Sequence, residues 1–268
     1  MNRKRRAELI GALVFTFLLS TVGIAYYGYS QVEAAVEDTY KPLHYQSDKR
    51  HEKVNIKEAE PLSVLLIETD EHQIESLSLL AINPETPSTH VVHIKKDTLP
   101  LPNAATEEVV ASVEALLDVP IDYYMKADAH AFGQLVKSVK EIEVQNPKAF
   151  STGEYSFPEG AITLNEQEAL AFATFSGSEQ TGEIEKKKRQ QKIIKGVLQQ
   201  VSTIKQIPQY DDILKIVRTH VETNVTFDEI RTIQKRYREA RKDVTQHVVR
   251  NDHDAKSVAP IVRKQLAR

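Results

Sequence analysis

The chain has 268 residues, 41% of them hydrophobic and 27% charged, with no cysteine and a formal net charge of -3. The missing cysteine excludes disulfide scaffolds, thiolate metal sites and cysteine nucleophiles, so stability rests on core burial, for which the hydrophobic fraction suffices at this length. The first eight residues hold four basic side chains against Glu8, leaving about -6 on the rest, the opposite of the basic balance of a nucleic-acid binder.

Arg3, Lys4, Arg5 and Arg6 precede an uncharged, mostly apolar run from Leu9 to Ser30. As a helix rising about 1.5 Å per residue, that run spans roughly 33 Å, enough for a hydrocarbon core of about 30 Å. The positive-inside rule keeps residues 1–8 cytoplasmic and puts everything beyond the run outside the cell membrane, as in a single-pass signal-anchored protein. A cleaved signal peptide competes with this reading, Val32 and Ala34 offering small residues before a cleavage site. A signal core, however, runs for only about 7 to 15 residues.

Residues 31–61 are polar, with Asp48, Lys49, Arg50, His51, Glu52 and Lys53 in succession, and read as a stalk. A buried strand is predicted at Ser63–Ile67, a second at Ser76–Ile82 closed by Asn83-Pro84, and a third at His90–Ile94. Val109, Val110, Val113, Leu116 and Leu117 give Thr106–Leu117 a helical stripe. A strand at Ile121–Met125, a helix near His130–Val139 and a strand near Glu141–Val144 follow. Asn165 with Glu168 caps a helix through Phe175. Glu183–Ile204 carries an apolar stripe through Ile193, Ile194, Val197, Leu198, Val201 and Ile204. Thr226 with Glu229 opens a charged helix to about Gln246, and residues 249–268 form a tail without core signal. Alternating strands and helices predict an α/β domain over 62–248, a mixed central sheet with helices on both faces.

Read in order, several segments resemble the LytR-CpsA-Psr family of envelope proteins. They are Leu65-Leu66-Ile67-Glu68-Thr69-Asp70, Leu79-Leu80-Ala81-Ile82-Asn83-Pro84, Ile94-Lys95-Lys96-Asp97-Thr98, Asn103-Ala104-Ala105, Val119-Pro120-Ile121-Asp122-Tyr123-Tyr124, Leu164-Asn165 through Ala169-Leu170, and Arg189-Gln190-Gln191. The resemblance implies a phosphotransferase-type domain that takes a glycopolymer, such as teichoic acid or capsular polysaccharide, from a polyprenyl pyrophosphate carrier to peptidoglycan. It also implies arginines on the pyrophosphate and acidic residues on magnesium. Such equipment suits phosphoryl transfer, where catalysis is mostly positioning and charge stabilisation.

The chain departs from the family pattern where that chemistry belongs. The Gly-x-Asp-x-Arg segment is Glu68-Thr69-Asp70-Glu71-His72, which keeps Asp70 as a metal ligand. The Ser-Asp-Thr segment falls at Ile74-Glu75-Ser76, with Glu75 the second carboxylate for Mg2+. Lys96 replaces the arginine of Pro-Arg-Asp-Thr, ahead of the retained Asp97 and Thr98, and supplies charge without the planar fork. Two further arginine positions become Thr174 and Ser176, neither able to neutralise phosphate. The Asp-x-Gly-Arg segment is Glu183-Ile184-Glu185-Lys186, followed by Lys187, Lys188 and Arg189. Lys186 and Arg189 share the inward face of their helix, whereas Lys188, Lys192 and Lys195 trace a solvated one. His72 and His253 have no metal-ligand spacing around them.

The expected protein is therefore an anchored envelope protein that binds polyprenyl-linked glycopolymer through Lys96, Lys186 and Arg189, with Asp70 and Glu75 near a metal and transferase activity weakened or lost. Lys96 and Lys186 are the residues expected to act on the transferred phosphate, and Asp97 and Asn103 complete the motif set. An active transferase, and an interaction protein using the basic face of Arg231, Lys235, Arg238 and Lys242, are the alternatives.

Overall fold

A computed structural model describes residues 29–70, 73–99, 101, 104–128, 134, 137–138, 140–175, 182–203 and 207–267. In chain order the elements are α1 (Tyr29–Thr39), β1 (Leu62–Asp70), β2 (Gln73–Asn83), β3 (Ser88–Ile94), α2 (Thr106–Leu117), β4 (Tyr123–Asp128), β5 (Ile142–Asn146), β6 (Phe150–Thr152), β7 (Tyr155–Phe157), β8 (Gly160–Leu164), α3 (Glu166–Thr174), α4 (Gly182–Thr203), α5 (Ile207–His220), β9 (Val221–Thr223), α6 (Phe227–Arg236), β10 (Val244–Val249) and α7 (Asp252–Leu266). The described residues fall into two compact units, one within 36–128 and 221–267 and one within 29–35 and 134–220.

In the first unit six strands run in the order β10-β3-β2-β1-β4-β9. β2 is antiparallel to β1 and β3, β4 is parallel to β1, and β10 is parallel to β3. This is the expected mixed sheet. Alternation along the strands sends Leu65, Ile67, Leu79, Ala81, Val92 and Ile94 to one face, where Val109, Val113 and Leu117 of α2 and Ala255, Val258 and Val262 of α7 cover them. The other face buries Val64, Leu80, Val91, Tyr123 and Met125. There α6 buries Phe227, Ile230 and Ile233, and the Tyr123 hydroxyl donates to Glu229 Oε1 at 3.1 Å.

Three expectations are corrected here. Beyond α1, the supposed stalk is built into the sheet unit: Lys41 N–H donates to Thr223 O at 2.8 Å, Leu43 and Tyr45 pack on the core, and Val54 and Ile56 are buried. Its anchoring is polar as much as apolar. Buried Glu114 accepts the Tyr45 and Ser47 hydroxyls, both at 2.9 Å, and Ile121 N–H at 2.6 Å. Asp122 accepts from Arg50 at 2.9 Å and from Ser63 N–H at 2.8 Å. The supposed C-terminal tail is α7, capped by the Asn251 side chain and locked by Asn83, whose amide donates to Gln265 O at 2.9 Å. The helix expected from Thr226 to Gln246 ends at Arg236, and β10 follows.

In the second unit β5 pairs with β8 and β6 with β7, the latter hairpin turning at Gly153 with φ +56°. Ile142, Val144, Phe157, Leu164, Phe172, Ile193 and Val197 form its core. Helix α4 lies so close to β5 that a Cβ on Gly196 would stand 3.1 Å from Glu143 O. The Asn165 cap is present, its side chain accepting from Glu168 N–H. Of the helix expected near His130–Val139, only Gln134, Lys137 and Ser138 are described. Among the described residues no helix is long and apolar enough to cross a membrane; the expected anchor lies outside them apart from its last two residues.

Candidate functional site

The strand directions place the carboxyl ends of β1, β3, β4 and β10 on one edge of the first unit's sheet, where β2 also begins. Ligands of open α/β sheets gather at such an edge. Asp70 ends β1, Asp128 ends β4, and Lys96 opens a 3-10 turn, Lys96–Thr98, just beyond β3. Glu75 owes its place to a bulge: Glu68 pairs with Ser76 but Thr69 with Ile74, so Glu75 is the extra residue of β2. A bulge of this kind re-aims a side chain out of the ladder's alternation. Glu75 is half-buried.

The surroundings of these positions are tied down. The Ser76 hydroxyl donates to Glu68 Oε2 at 2.7 Å, so the carboxylate standing in the family's glycine position is engaged by its cross-strand partner. The Lys96–Thr98 turn hangs on the end of β10, with Lys95 N–H and the Thr98 hydroxyl both donating to Val249 O, at 3.0 and 3.3 Å. Asp97 is exposed. Asn103, His72 and Ser176 lie outside the described residues. Among the described residues no group of three or more histidines and carboxylates is arranged to hold a metal ion. Asp70 and Glu75 are carboxylate-bearing positions at this end of the sheet, and a Mg2+ site takes only one or two protein carboxylates, with water and substrate phosphates in its other positions.

The second unit carries the other candidates, Lys186 and Arg189, on one helix, α4. Arg189 is buried; its Nη2 donates to Phe175 O, and its guanidinium lies 5.2 Å from the ring centres of both Phe150 and Phe175. These two rings stack at 4.6 Å. Arg189 Nε has no partner among the described residues, and burial pushes the guanidinium pKa below its ordinary value, with Glu185 opposing. Lys186 is half-buried. Thr174 is exposed at the end of α3 and its hydroxyl donates to Leu170 O at 2.8 Å.

The solvated reading of Lys188, Lys192 and Lys195 holds only for Lys195. Lys188 pairs with Glu185 at 2.6 Å. Lys192 donates to Gln145 O at 2.6 Å, and burial holds its pKa below the usual lysine value. Its position one turn from Arg189 was the available signal. Arg231, Lys235, Arg238 and Lys242 are all exposed but do not form one helical stripe, because α6 ends before Arg238 and Lys242. Arg231 lies 3.6 Å from Asp228, and Lys242 lies 2.5 Å from Glu239.

A model of the LytR_cpsA_psr family matches residues 26–266. The chain belongs to this family. Among curated proteins it is 32% identical to the polyisoprenyl-teichoic acid–peptidoglycan teichoic acid transferase TagU of Bacillus licheniformis, over 94% of this chain and 89% of that one. It is 33% identical to the TagU of Bacillus subtilis strain 168, over 92% and 87%. The crystal structure of B. subtilis TagU superposes with a TM-score of 0.56 at 27% identity, covering 78% of this chain and 98% of the other. The mixed sheet and its flanking helices are thus the fold of LytR_cpsA_psr proteins.

Proposed function

We propose that this family member is a membrane-anchored protein of envelope assembly that binds polyprenyl-(pyro)phosphate-linked glycopolymer, with transfer to peptidoglycan weakened or lost. Support comes from relatives named as teichoic acid transferases and from cations and carboxylates at the family's motif positions. Lys96, Lys186 and Arg189 would meet phosphate oxygens. Asp70 and Glu75 would hold Mg2+, which when bound neutralises charge on the phosphates. Of the chain's own residues, Lys96 would act as a point charge on the Val249-bound turn, and Arg189 would act through an Nε with no partner among the described residues.

The observation that carries the weakened activity is Thr174. At a position where the family has an arginine stands an exposed threonine whose hydroxyl is spent on its own helix, at Leu170 O. One preorganised donor to a developing charge is worth roughly 3 kcal/mol in rate, and the lysine at position 96 lacks the bidentate fork. An active transferase is the second reading, favoured by about one-third identity along nine-tenths of the chain to the TagU proteins.

The test gives the full chain in detergent a lipid-linked glycopolymer, peptidoglycan and Mg2+, beside B. subtilis TagU. Lipid binding with release of polyprenyl phosphate at least about a hundredfold slower than TagU is the expected result. Release at the TagU rate establishes the second reading, and failure to bind the lipid at all overturns both.

A further inference from the structure

Away from the site residues, two histidines meet across the edge of the sheet. His90 on β3 and His247 on β10 lie on the face covered by α7, the face to which Val92 and Val249 also belong. Their nitrogens, His90 Nδ1 and His247 Nε2, are 3.0 Å apart, and the ring centres 5.2 Å apart with planes 15° from parallel. A ring nitrogen lies about 1.1 Å from its ring centre, so these distances set both centres almost on the N···N line, the geometry of a direct N–H···N hydrogen bond. Two imidazoles on one tetrahedral cation at about 2.1 Å would instead hold their nitrogens about 3.4 Å apart. The pair is a side-chain clip between β10, at the end of the strand order, and its neighbour β3.

What that strand holds gives the clip its consequence. The last residue of β10, Val249, accepts both hydrogen bonds that seat the Lys96–Thr98 turn. We propose that His90 and His247 form a pH-sensitive latch: with at most one proton shared between the facing nitrogens they clip β10 to β3 and seat the turn, and with both rings protonated they release it. The functional half of this proposal rests on the reading of Lys96 as a phosphate-binding residue. Each neutral ring has one donor and one acceptor nitrogen, so the bond is made when one ring donates; a single added proton leaves a charge-assisted bond. The second proton removes the acceptor and opposes two cations at 3.0 Å.

The charged surroundings do little to offset that repulsion. Burial lowers the pKa of both rings; Asp243 pulls that of His90 partly back, and His90 pushes that of His247 further down. From α7 the residues turned to the sheet are Ala255, Val258, Ala259, Val262, Gln265 and Leu266. Its charged groups lie outward, with Arg263 on Asp118 and Asp254 on Arg250. From β2 the register partner of His90 is Ala81. In the 239–241 turn Arg241 bonds Gln234 O and Glu239 pairs with Lys242. Histidines whose folded pKa lies below the unfolded one stabilise fully above about pH 6.5, and that contribution is lost as pH falls through the lowered values.

The test is amide hydrogen exchange on the full chain in detergent, without lipid substrate, corrected for the intrinsic rate. Between about pH 7.5 and about pH 5, protection of β10 relative to β1 is expected to fall about tenfold or more, and the His90→Gln, His247→Gln double variant to lose that dependence. An equal pH dependence in both proteins overturns the latch. Should the variant not fold, NMR titration of the unaltered histidines decides: two coupled steps, the second well below the ordinary histidine value, support the latch, and two independent titrations near it refute the latch. Exchange reads the latch with no lipid present, so its failure and the failure of the lipid-binding reading are separate results.

Discussion

The two compact units fix their charged groups by different means. In the sheet unit, buried or half-buried carboxylates collect several donors each: Glu114 from Tyr45, Ser47 and Ile121, Asp122 from Arg50 and Ser63, and Glu229 from Lys53, Tyr123 and Thr226. These networks fasten residues 40–60 to the strands. In the second unit buried Arg189 has one carbonyl and two aromatic faces, with no partner for Nε among the described residues. The carboxylates of the first unit are saturated by their partners, whereas Arg189 of the second leaves Nε without a partner among the described residues.

Removing a saturated partner should therefore have the largest effect on stability. Asp122→Ala leaves Arg50, only 23% exposed, without its carboxylate and is expected to cost about 3 to 5 kcal/mol in urea denaturation. Burial raises the Asp122 pKa against the opposing pull of Arg50 and Ser63, so the pair is expensive to hold. Replacing both members, as Arg50→Met with Asp122→Asn, should recover part of the loss. Arg189→Met, by contrast, should lower stability by only about 1 to 2 kcal/mol, the worth of a buried cation–π contact with one charged hydrogen bond. Its larger effect should be on lipid-phosphate affinity, about tenfold or more by titration calorimetry. If Arg189→Met destabilises as much as Asp122→Ala and leaves affinity unchanged, the contrast between the units collapses.

The smallest effect is expected at the surface of the first unit. Asp118 is bonded by Lys49 and faces Arg263 at 2.6 Å, and these partners hold its carboxyl below the usual range. Its φ of +51° is one that asparagine also adopts. Asp118→Asn should lower the Tm slightly at low salt and by nothing measurable at about 0.5 M salt. Since that pKa is lowered, what little stability it gives is lost as pH falls through it.

How much of this was legible in the sequence depended on what holds each element. Strands β1 to β3 and helices α2 and α4 show themselves through apolar runs and stripes. β10 did not, because Thr245, Gln246 and His247 break its apolar pattern at a sheet edge and the charged stretch before it continues the helical spacing of α6. α7 was hidden by Pro260 and by contacts made through small residues such as Ala255 and Ala259. Residues 40–60 gave no apolar period because Glu114 and Asp122, more than sixty positions away, anchor them. At the candidate site the motif order located Asp70, Glu75 and Lys96, but the bulge that sets Glu75 off from the ladder is a matter of register between two strands and has no local signature.

The central claim, that the phosphate clamp is eroded at Thr174 and Ser176, is tested most directly by restoring it. The double variant Thr174→Arg, Ser176→Arg would be compared with the unaltered chain for Mg2+-dependent release of polyprenyl phosphate, polymer attachment to peptidoglycan being followed in parallel. A rise of at least about tenfold in release, without a change in lipid affinity of the same size, is the expected result. An unaltered chain that already matches B. subtilis TagU, with nothing added by the two arginines, would contradict it.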